Sequence, residues 1–199
     1  PPLTTVKAVG HRIVHGGAAF NSTTVIDADM LEHLRKVSPL APLHNPPALS
    51  GVEAALRSLP DVPHVAIFDT AFFSTLPPEA YTYAVPRELA AEHGIRKYGF
   101  HGTSHSFVSR AVADLLGKPY DSFNQIVCHL GNGASVSAID HGVAVEASMG
   151  LTPLAGLVMG TRSGDVDPGL HAFLARQLGW TIDEIDNALN KKSGMLGLS

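Results

Sequence analysis

The sequence QIVCHLGNGASVSAID, residues 125–140, decides how the second half of the chain folds. Apolar and β-branched residues dominate positions 125–130 and 135–139, and Gly131-Asn132-Gly133 separates the two runs. Such a turn between two strand-like runs predicts a β-hairpin. A second turn at Asp140-His141-Gly142 leads into another strand at residues 143–145.

Upstream of this hairpin, strand and helix patterns are mixed. Residues 6–15 are rich in β-branched residues and predict a strand, and residues 64–69 predict a second one that ends on Asp69. Residues 27–37 predict a helix with Asp27 as its N-cap, and Asn45 is expected to cap the next helix. This mixture places the chain in the α/β or α+β class, with a domain boundary most plausible just after Asp69.

Further helices are expected on both sides of the hairpin. One spans residues 87–92 and another is capped by Thr103 or Ser104. The second is expected to bury an apolar stripe, which consists of Phe107, Val108, Ala111, Val112 and Leu115. Residues 148–168 lack periodicity and predict a long irregular segment, which two helices follow. The last of these opens with the capping box of Thr181 and Glu184.

Composition excludes several classes of function. Lys and Arg number 14 against 18 Asp and Glu, which gives a net charge of −4 and no basic excess for nucleic-acid binding. The single cysteine, Cys128, excludes an internal disulfide framework and a Cys-rich zinc site, and it is compatible with a reducing cytoplasm. The chain shows no signal peptide and no apolar run long enough to span a membrane.

Several short motifs offer chemistry, although each has an ordinary structural alternative. The glycine turn at 131–133 suits an anion or is a plain hairpin turn. Arg162, between Thr161 and Ser163, suits a carboxylate or phosphate or is a solvated loop residue. His101 and His105 suit a metal less well than an anion at a helix N-terminus, and a capped helix with a buried histidine is the alternative. Together with Arg12 and Asp69, these residues fit phosphoryl transfer.

Six motifs in fixed order resemble the acetate kinase family. They cover nearly the whole chain, which makes them far more specific together than singly, and they read HRIVHGG at 11–17, LAPLHNP at 40–46, VAIFDTAF at 65–72, YGFHGTSH at 98–105, CHLGNG at 128–133 and MGTRSGD at 159–165. The resemblance implies part of an actin-like, ribonuclease H-like two-domain α/β ATPase fold. Residues 1–71 would belong to the N-terminal domain and residues 72–199 to the C-terminal nucleotide-binding domain.

The resemblance also implies a reaction and its participants. The family transfers a phosphoryl group reversibly between ATP and acetate, giving ADP and acetyl phosphate, with Mg²⁺. The complete enzyme is expected to be a cytoplasmic homodimer with no nucleic-acid or membrane partner. A propionate or butyrate kinase is the nearest alternative, since pocket volume separates these substrates. A non-catalytic anion-binding or dimerisation fragment is the alternative from another class.

Roles for individual residues follow from the resemblance alone. Arg12 and Arg162 resemble the arginines that hold the carboxylate and the phosphoryl group, and His101 resembles the histidine that bonds that group. Asp69 resembles an acid associated indirectly with Mg²⁺. The expected acetate pocket contains Arg12, Val14, Leu43, His44, Phe100 and Pro153. The expected nucleotide-phosphate loop contains His129, Leu130, Gly131, Asn132 and Gly133.

The resemblance also suggests that the chain is an internal segment. A phosphate-binding hairpin typical of the family would precede residue 1, and the adenosine-binding loops and a second Mg²⁺-associated acid would follow residue 199. We therefore expect these 199 residues alone to be inactive.

Overall fold

A computed structural model describes residues 3–41 and 44–199. Its strands are β1 Val9–Ile13, β2 Thr24–Val25, β3 His64–Phe68, β4 Gln125–Leu130, β5 Ala134–Asp140 and β6 Val143–Ala147. Its α-helices are α1 Ala28–Val37, α2 Asn45–Ser58, α3 Pro78–Tyr81, α4 Arg87–His93, α5 Gly102–Leu116, α6 Gly169–Leu178, α7 Ile182–Lys191 and α8 Gly194–Leu198. Short 3-10 turns lie at Leu3–Thr5, Ser38–Leu40 and Ala71–Phe73. The mixed α/β class is confirmed.

The first sheet has the strand order β1-β3-β2, with β1 parallel and β2 antiparallel to β3. Helices α1 and α2 contribute to its core, which contains Ile13, Ile26, Met30, Leu34, Val37, Val52, Ala66 and Phe68. As predicted, Asp27 caps α1, because its side chain accepts a hydrogen bond from the Met30 N–H at 2.8 Å. The parallel pairing of β1 and β3 brings the ends of both strands to one edge of the sheet.

Strand β1 is shorter than the predicted strand at residues 6–15. The ladder begins where the Val9 N–H donates to the carbonyl of Pro63, and a proline has no N–H to extend it. It ends because β3 ends at Phe68, opposite Ile13. Beyond that point the backbone of His15 pairs with the side chain of Asn45.

The prediction that Asn45 caps α2 is wrong. Its side-chain oxygen accepts from the His15 N–H at 3.2 Å, and its amide nitrogen donates to the His15 carbonyl at 2.9 Å. The residue at the N-cap position is His44, and its side chain makes no capping hydrogen bond. Asn45 therefore ties the start of α2 to the segment that follows β1.

The second sheet is antiparallel, with the order β4-β5-β6. The predicted glycine turn joins β4 to β5, and His141 and Gly142, both with positive φ, form the tight turn into β6. Phe73, from the turn that follows Asp69, packs against Ala144 and Ala147 of β6. The division of the chain at residues 71 and 72 stays a prediction.

Helix α5 packs the opposite way from the prediction. Phe107 is 73% exposed and Leu115 is 86% exposed, and Val108 and Ala111 also lie in solvent. The buried face carries Gly102, His105, Ser109 and Ala113. The helix lies against β4 and the 71–73 turn, where small and hydrogen-bonding side chains fill the contact instead of an apolar stripe.

The cap predicted for α5 is also wrong. His101 occupies the N-cap position with φ 60°, and its side chain makes no capping bond. Thr103 and Ser104 lie inside the first turn, where their hydroxyls bond Asp69 and His129. The first turn of this helix is thus bonded to side chains of other elements, and no side-chain cap closes it.

The C-terminal region follows the sequence pattern more closely. Residues 148–168 contain no helix or strand, and Thr181 and Glu184 form the predicted capping box of α7. Helix α8 was not predicted. No helix in the part of the chain that the structure describes has the length and apolar character to cross a membrane.

Two helical glycines give a matched test of this packing. A Cβ built on Gly102 would lie 2.0 Å from the Asp69 carbonyl oxygen, whereas one on Gly51 meets nothing within 4 Å. We expect Gly102→Ala to destabilise the protein by about 1–3 kcal/mol through overpacking. Gly51→Ala should stabilise it by about 0.5–1 kcal/mol, because alanine loses less entropy in a helix. Urea unfolding measures both, and equal effects would contradict the tight contact at Gly102.

Candidate active site

A cavity of about 540 Å³ lies between the ends of β1 and β3, the start of α5, the β4–β5 turn and the irregular segment. All six motifs contribute to its lining, together with two residues outside them. The lining residues are Arg12, Val14, His44, Asp69, Phe100, His101, Thr103, Ser104, Phe107, His129, Gly133, Pro153 and Arg162. Residues up to 150 positions apart in sequence therefore share one site.

Asp69 and Arg12 form an ion pair on one wall of the cavity. Arg12 Nε donates to Asp69 Oδ1 at 3.0 Å, and Arg12 Nη2 donates to Oδ2 at 2.5 Å. The hydrogen bond to Asp69 raises the pKa of Arg12, and burial opposes it. Because β1 and β3 are parallel and in register up to Ile13 and Phe68, the two side chains leave neighbouring strands at the same edge.

Asp69 also holds the start of α5. Its Oδ1 accepts a second hydrogen bond, from the Thr103 hydroxyl at 2.9 Å, and its carbonyl accepts from the Gly102 N–H at 3.0 Å. The side chain of Asp69 is 1% exposed. A buried carboxylate needs such partners, and here they fix the position of the residue next to Gly102, which is His101.

His101 is held over the cavity in a left-handed backbone conformation, which few residues other than glycine adopt. Its ring stacks on His129, with 4.0 Å between ring centroids, and its Nδ1 lies 2.8 Å from the Ser135 hydroxyl. Burial, and next the charge of His129, lower the pKa of His101 to about 4. The ring is therefore neutral near pH 7.

Arg162 also lines the cavity and differs from Arg12 in its partners. Its Nη1 donates to the Pro153 carbonyl at 2.8 Å, and no carboxylate lies within 4.0 Å of it among residues 3–41 and 44–199. Burial lowers its pKa, but a guanidinium stays charged in proteins. The cavity thus contains a half-buried cation without an anionic partner in the described chain.

Gly133 lets Arg162 and His101 approach each other. A Cβ at this position would lie 3.3 Å from Arg162 Nη1 and 3.3 Å from His101 Nε2. Both side chains therefore contact the same glycine, and any larger residue there would crowd them.

The remaining wall is partly apolar. Val14 packs against the cluster that contains the buried Phe100, and Pro153 lies on the same cavity. His44 faces it from the start of α2, and its pKa is lowered by burial and by the nearby charges of Arg162 and Arg12. Leu43, also expected here, lies outside the described residues.

The predicted phosphate loop is only partly on the cavity. His129 and Gly133 line it, whereas Leu130 is 74% exposed and Gly131 and Asn132 are not on the wall. The alternation of β4 turns Leu130 away from His129. The carbonyl of Asn132 accepts from the Gly160 N–H at 2.9 Å, so this turn braces the loop that carries Arg162.

Three lining residues were missed by the sequence analysis, namely Thr103, Ser104 and Phe107. The sequence predicts that Thr103 or Ser104 caps α5 and that Phe107 belongs to its buried apolar stripe. Their positions shortly after His101 could have predicted that they lie near it, since residues in the first turns of a helix lie close to its N-terminal end.

The described residues do not form a metal centre by themselves. No group of three or more His, Cys, Asp or Glu side chains converges in the part of the chain that the structure covers. Asp69 is the carboxylate on this cavity, and Arg12 and Thr103 already bond both of its oxygens.

Comparison with known proteins assigns the family. The model of the acetokinase family matches residues 2–199. The chain belongs to the acetokinase family. An acetate kinase of Corynebacterium efficiens is 58% identical over the whole chain, and one of Deinococcus radiodurans is 56% identical over 98% of it. These matches cover 50% and 49% of the two relatives, so the chain spans about half the length of the curated relatives that it matches.

Solved structures of this family have the same fold. A propionate kinase from Francisella tularensis superposes with a TM-score of 0.95 at 50% identity, over 98% of this chain and 50% of that one. The acetate kinase of Porphyromonas gingivalis superposes with a TM-score of 0.92 at 48% identity, over the whole chain and 50% of that one. The structure is therefore part of the two-domain fold of these acetokinases, as the sequence predicted.

Three buried histidines are expected to make the stability of the fold depend on pH. Burial lowers the pKa of His15, His101 and His105 to about 4, below the ordinary value of 6.5. Between pH 6.5 and 4 the unfolded chain binds more protons than the folded one. The free energy of unfolding should therefore fall as the pH drops through this window, by up to about 1.4 kcal/mol per pH unit for each histidine.

Urea unfolding at a series of pH values measures this slope. His15→Gln should reduce it, because one of the buried titrating rings is gone. His93→Gln is the control, since His93 is exposed. A slope that is the same in His15→Gln and in the unmodified protein would contradict the prediction.

Proposed function

We propose that the natural polypeptide containing this chain catalyses reversible phosphoryl transfer between ATP and acetate, giving ADP and acetyl phosphate. The observation that carries the proposal is the half-buried Arg162, which has no carboxylate partner among the described residues and lines the same partly apolar cavity as the paired Arg12. An unpaired cation in such a place favours an anionic ligand. The names of the relatives, most of them acetate kinases, support acetate as the acceptor.

Each polar residue of the cavity would have its own role in this reaction. The Arg162 guanidinium would bond oxygens of the phosphoryl group as charge spreads over them. Arg12, oriented by Asp69, would face the acetate carboxylate and the oxygen that attacks. The neutral His101 would donate a hydrogen bond without adding charge, and His44 would lie beside the acetate.

The apolar side of the cavity would hold the methyl group. Val14, Phe100 and Pro153 supply it among the described residues, and Leu43 is proposed to complete it. His129 and Gly133 would face the nucleotide phosphates, and Leu130, Gly131 and Asn132 would support that turn.

Mg²⁺ fits this site only as a companion of the nucleotide. The ion usually keeps several waters and binds through one or two carboxylates together with substrate phosphates. Asp69, whose oxygens are already bonded to Arg12 and Thr103, would orient such waters indirectly. When bound, the ion would neutralise phosphate charge.

The remaining features of the proposal come from the family resemblance. We propose that the complete polypeptide is a cytoplasmic homodimer whose first domain ends near residue 71. These 199 residues alone should be inactive, because the relatives are about twice as long.

Acetyl phosphate formation, trapped as hydroxamate, tests the function. The natural polypeptide should form it from ATP and acetate, with less product from propionate and butyrate. A propionate kinase is the second candidate, favoured by the name of the Francisella structure, and a preference for propionate would establish it. If no carboxylate is phosphorylated but ADP still binds, the chain is part of an anion-binding module.

Arg162 is expected to act mainly in the transition state. Arg162→Ala and Arg162→Lys should both lower kcat by about 10³-fold or more, since lysine lacks the planar fork. The KM for acetate should change much less. Arg176→Ala, on the exposed side of α6, is the control. Near-normal kcat with a steep rise of KM in Arg162→Lys would instead make Arg162 a ground-state clamp for the carboxylate.

Val14 is expected to limit the size of the substrate. Val14→Ala should raise the propionate-to-acetate ratio of kcat/KM by about tenfold, the scale of one methylene group. Val143→Ala removes the same atoms from an exposed position on β6 and should leave the ratio unchanged. An unaltered ratio in Val14→Ala would remove Val14 from the pocket.

A further inference from the structure

Four side chains form a hydrogen-bonded series that leads from the cavity into the interior. His101 Nδ1 lies 2.8 Å from Ser135 Oγ, which lies 2.8 Å from His105 Nε2. His105 Nδ1 in turn lies 2.8 Å from Ser137 Oγ. Of these, only His101 lines the cavity. His105, Ser135 and Ser137 are at most 2% exposed.

Two regular elements place the series. His101 is the N-cap residue of α5, and His105 lies one turn later, where its N–H donates to the His101 carbonyl at 3.0 Å. Ser135 and Ser137 are two residues apart in β5, and therefore lie on one face of the sheet. Each serine hydroxyl thus lies within hydrogen-bond distance of a histidine ring nitrogen, and both serines lie on a regular strand.

The protons on His101, Ser135 and His105 can be arranged along the series in two ways. Burial lowers the pKa of both histidines to about 4, so each ring carries one N–H near pH 7. Ser135 has one O–H and lies between two ring nitrogens, so it donates to one and accepts from the other. The proton of His101 is consequently on Nε2 when Ser135 donates to it, and on Nδ1 when Ser135 accepts from it.

Ser137 distinguishes these arrangements. When the His101 proton is on Nε2, Ser137 donates to His105 Nδ1, and every proton of His105, Ser135 and Ser137 in the series has an acceptor. In the reverse direction Ser137 accepts from His105, and its own O–H has no acceptor among residues 3–41 and 44–199. A buried donor without a partner is unfavourable, so the first direction is preferred.

We propose that Ser137, acting through His105 and Ser135, fixes His101 as the Nε2–H tautomer. The Nε2 edge of His101 faces Gly133 on the cavity wall and makes no hydrogen bond within the described chain. The series therefore presents an uncharged N–H donor to the cavity. His105, Ser135 and Ser137 are positioning residues, and the catalytic consequence alone rests on the proposed function.

That consequence concerns the phosphoryl oxygens. An N–H at Nε2 attracts a negatively charged oxygen, whereas a bare Nε2 presents a lone pair that repels it. With Arg162 beside the same glycine, the cavity would then present two donors to one anion.

The test is the protonation state of the two rings in the natural polypeptide labelled with ¹⁵N-histidine. Long-range ¹H–¹⁵N correlation spectra distinguish an N–H from a bare ring nitrogen, and His101→Gln and His105→Gln assign the signals. We expect both His101 and His105 to carry their proton on Nε2. A His101 protonated on Nδ1 overturns the proposal.

Variants of Ser137 test the cause. In Ser137→Ala the ratio of the Nε2–H to the Nδ1–H form of His101 should fall by about tenfold, because the hydroxyl that selects the direction is gone. Ser137→Thr keeps a hydroxyl and should keep the ratio. Ser109→Ala is the matched control, because Ser109 is a buried serine of α5 that bonds Tyr120 and the Ser106 carbonyl outside the series.

The outcomes separate this proposal from the proposed function. An unchanged ratio in Ser137→Ala, or an equal change in Ser109→Ala, overturns the role of Ser137 even when acetyl phosphate is formed. Conversely, the expected ratios in a polypeptide that phosphorylates no carboxylate would establish the tautomer and refute only its catalytic use.

Discussion

The buried carboxylate of Asp69 is the constraint on which the site depends. A charge at 1% exposure needs compensation, and it receives two hydrogen bonds from Arg12 and one from Thr103. The backbone of the same residue donates to Ile13 and accepts from Gly102. One position thereby joins β1, β3 and α5, and removing its charge would weaken the side-chain bonds to Arg12 in β1 and Thr103 in α5.

The two arginines of the cavity differ in their partners. Arg12 is paired with Asp69, while Arg162, within residues 3–41 and 44–199, bonds only the Pro153 carbonyl and the sulfur of Met159. Two histidines of the cavity, His101 and His44, are neutral near pH 7, since burial lowers the pKa of both. An anion in this cavity would therefore meet the Arg162 guanidinium, which has no carboxylate partner in the described chain, beside uncharged histidine rings.

Local patterns predicted much of the fold. The helix caps Asp27 and Thr181 bond residues only three positions away, and most of the site residues expected from the family resemblance line one cavity. Predictions failed where tertiary contacts override local preference. Asn45 bonds the distant His15 instead of capping α2, and α5 turns Phe107 outward because its opposite face bonds Ser135 and Ser137. These partners are distant in sequence, so a local sequence pattern carries no information about them.

The spacing of His101 and His105 shows why pattern alone is ambiguous. Two histidines four residues apart on a helix also suit a metal ion, and nothing in the helix itself decides between the two uses. The decision lies in β5, whose alternation places Ser135 and Ser137 opposite the same helical face. A serine hydroxyl can donate to one nitrogen and accept from another, so it orders protons along the series, which a metal ion would displace. The chemistry of the pair is therefore set by the strand that it faces.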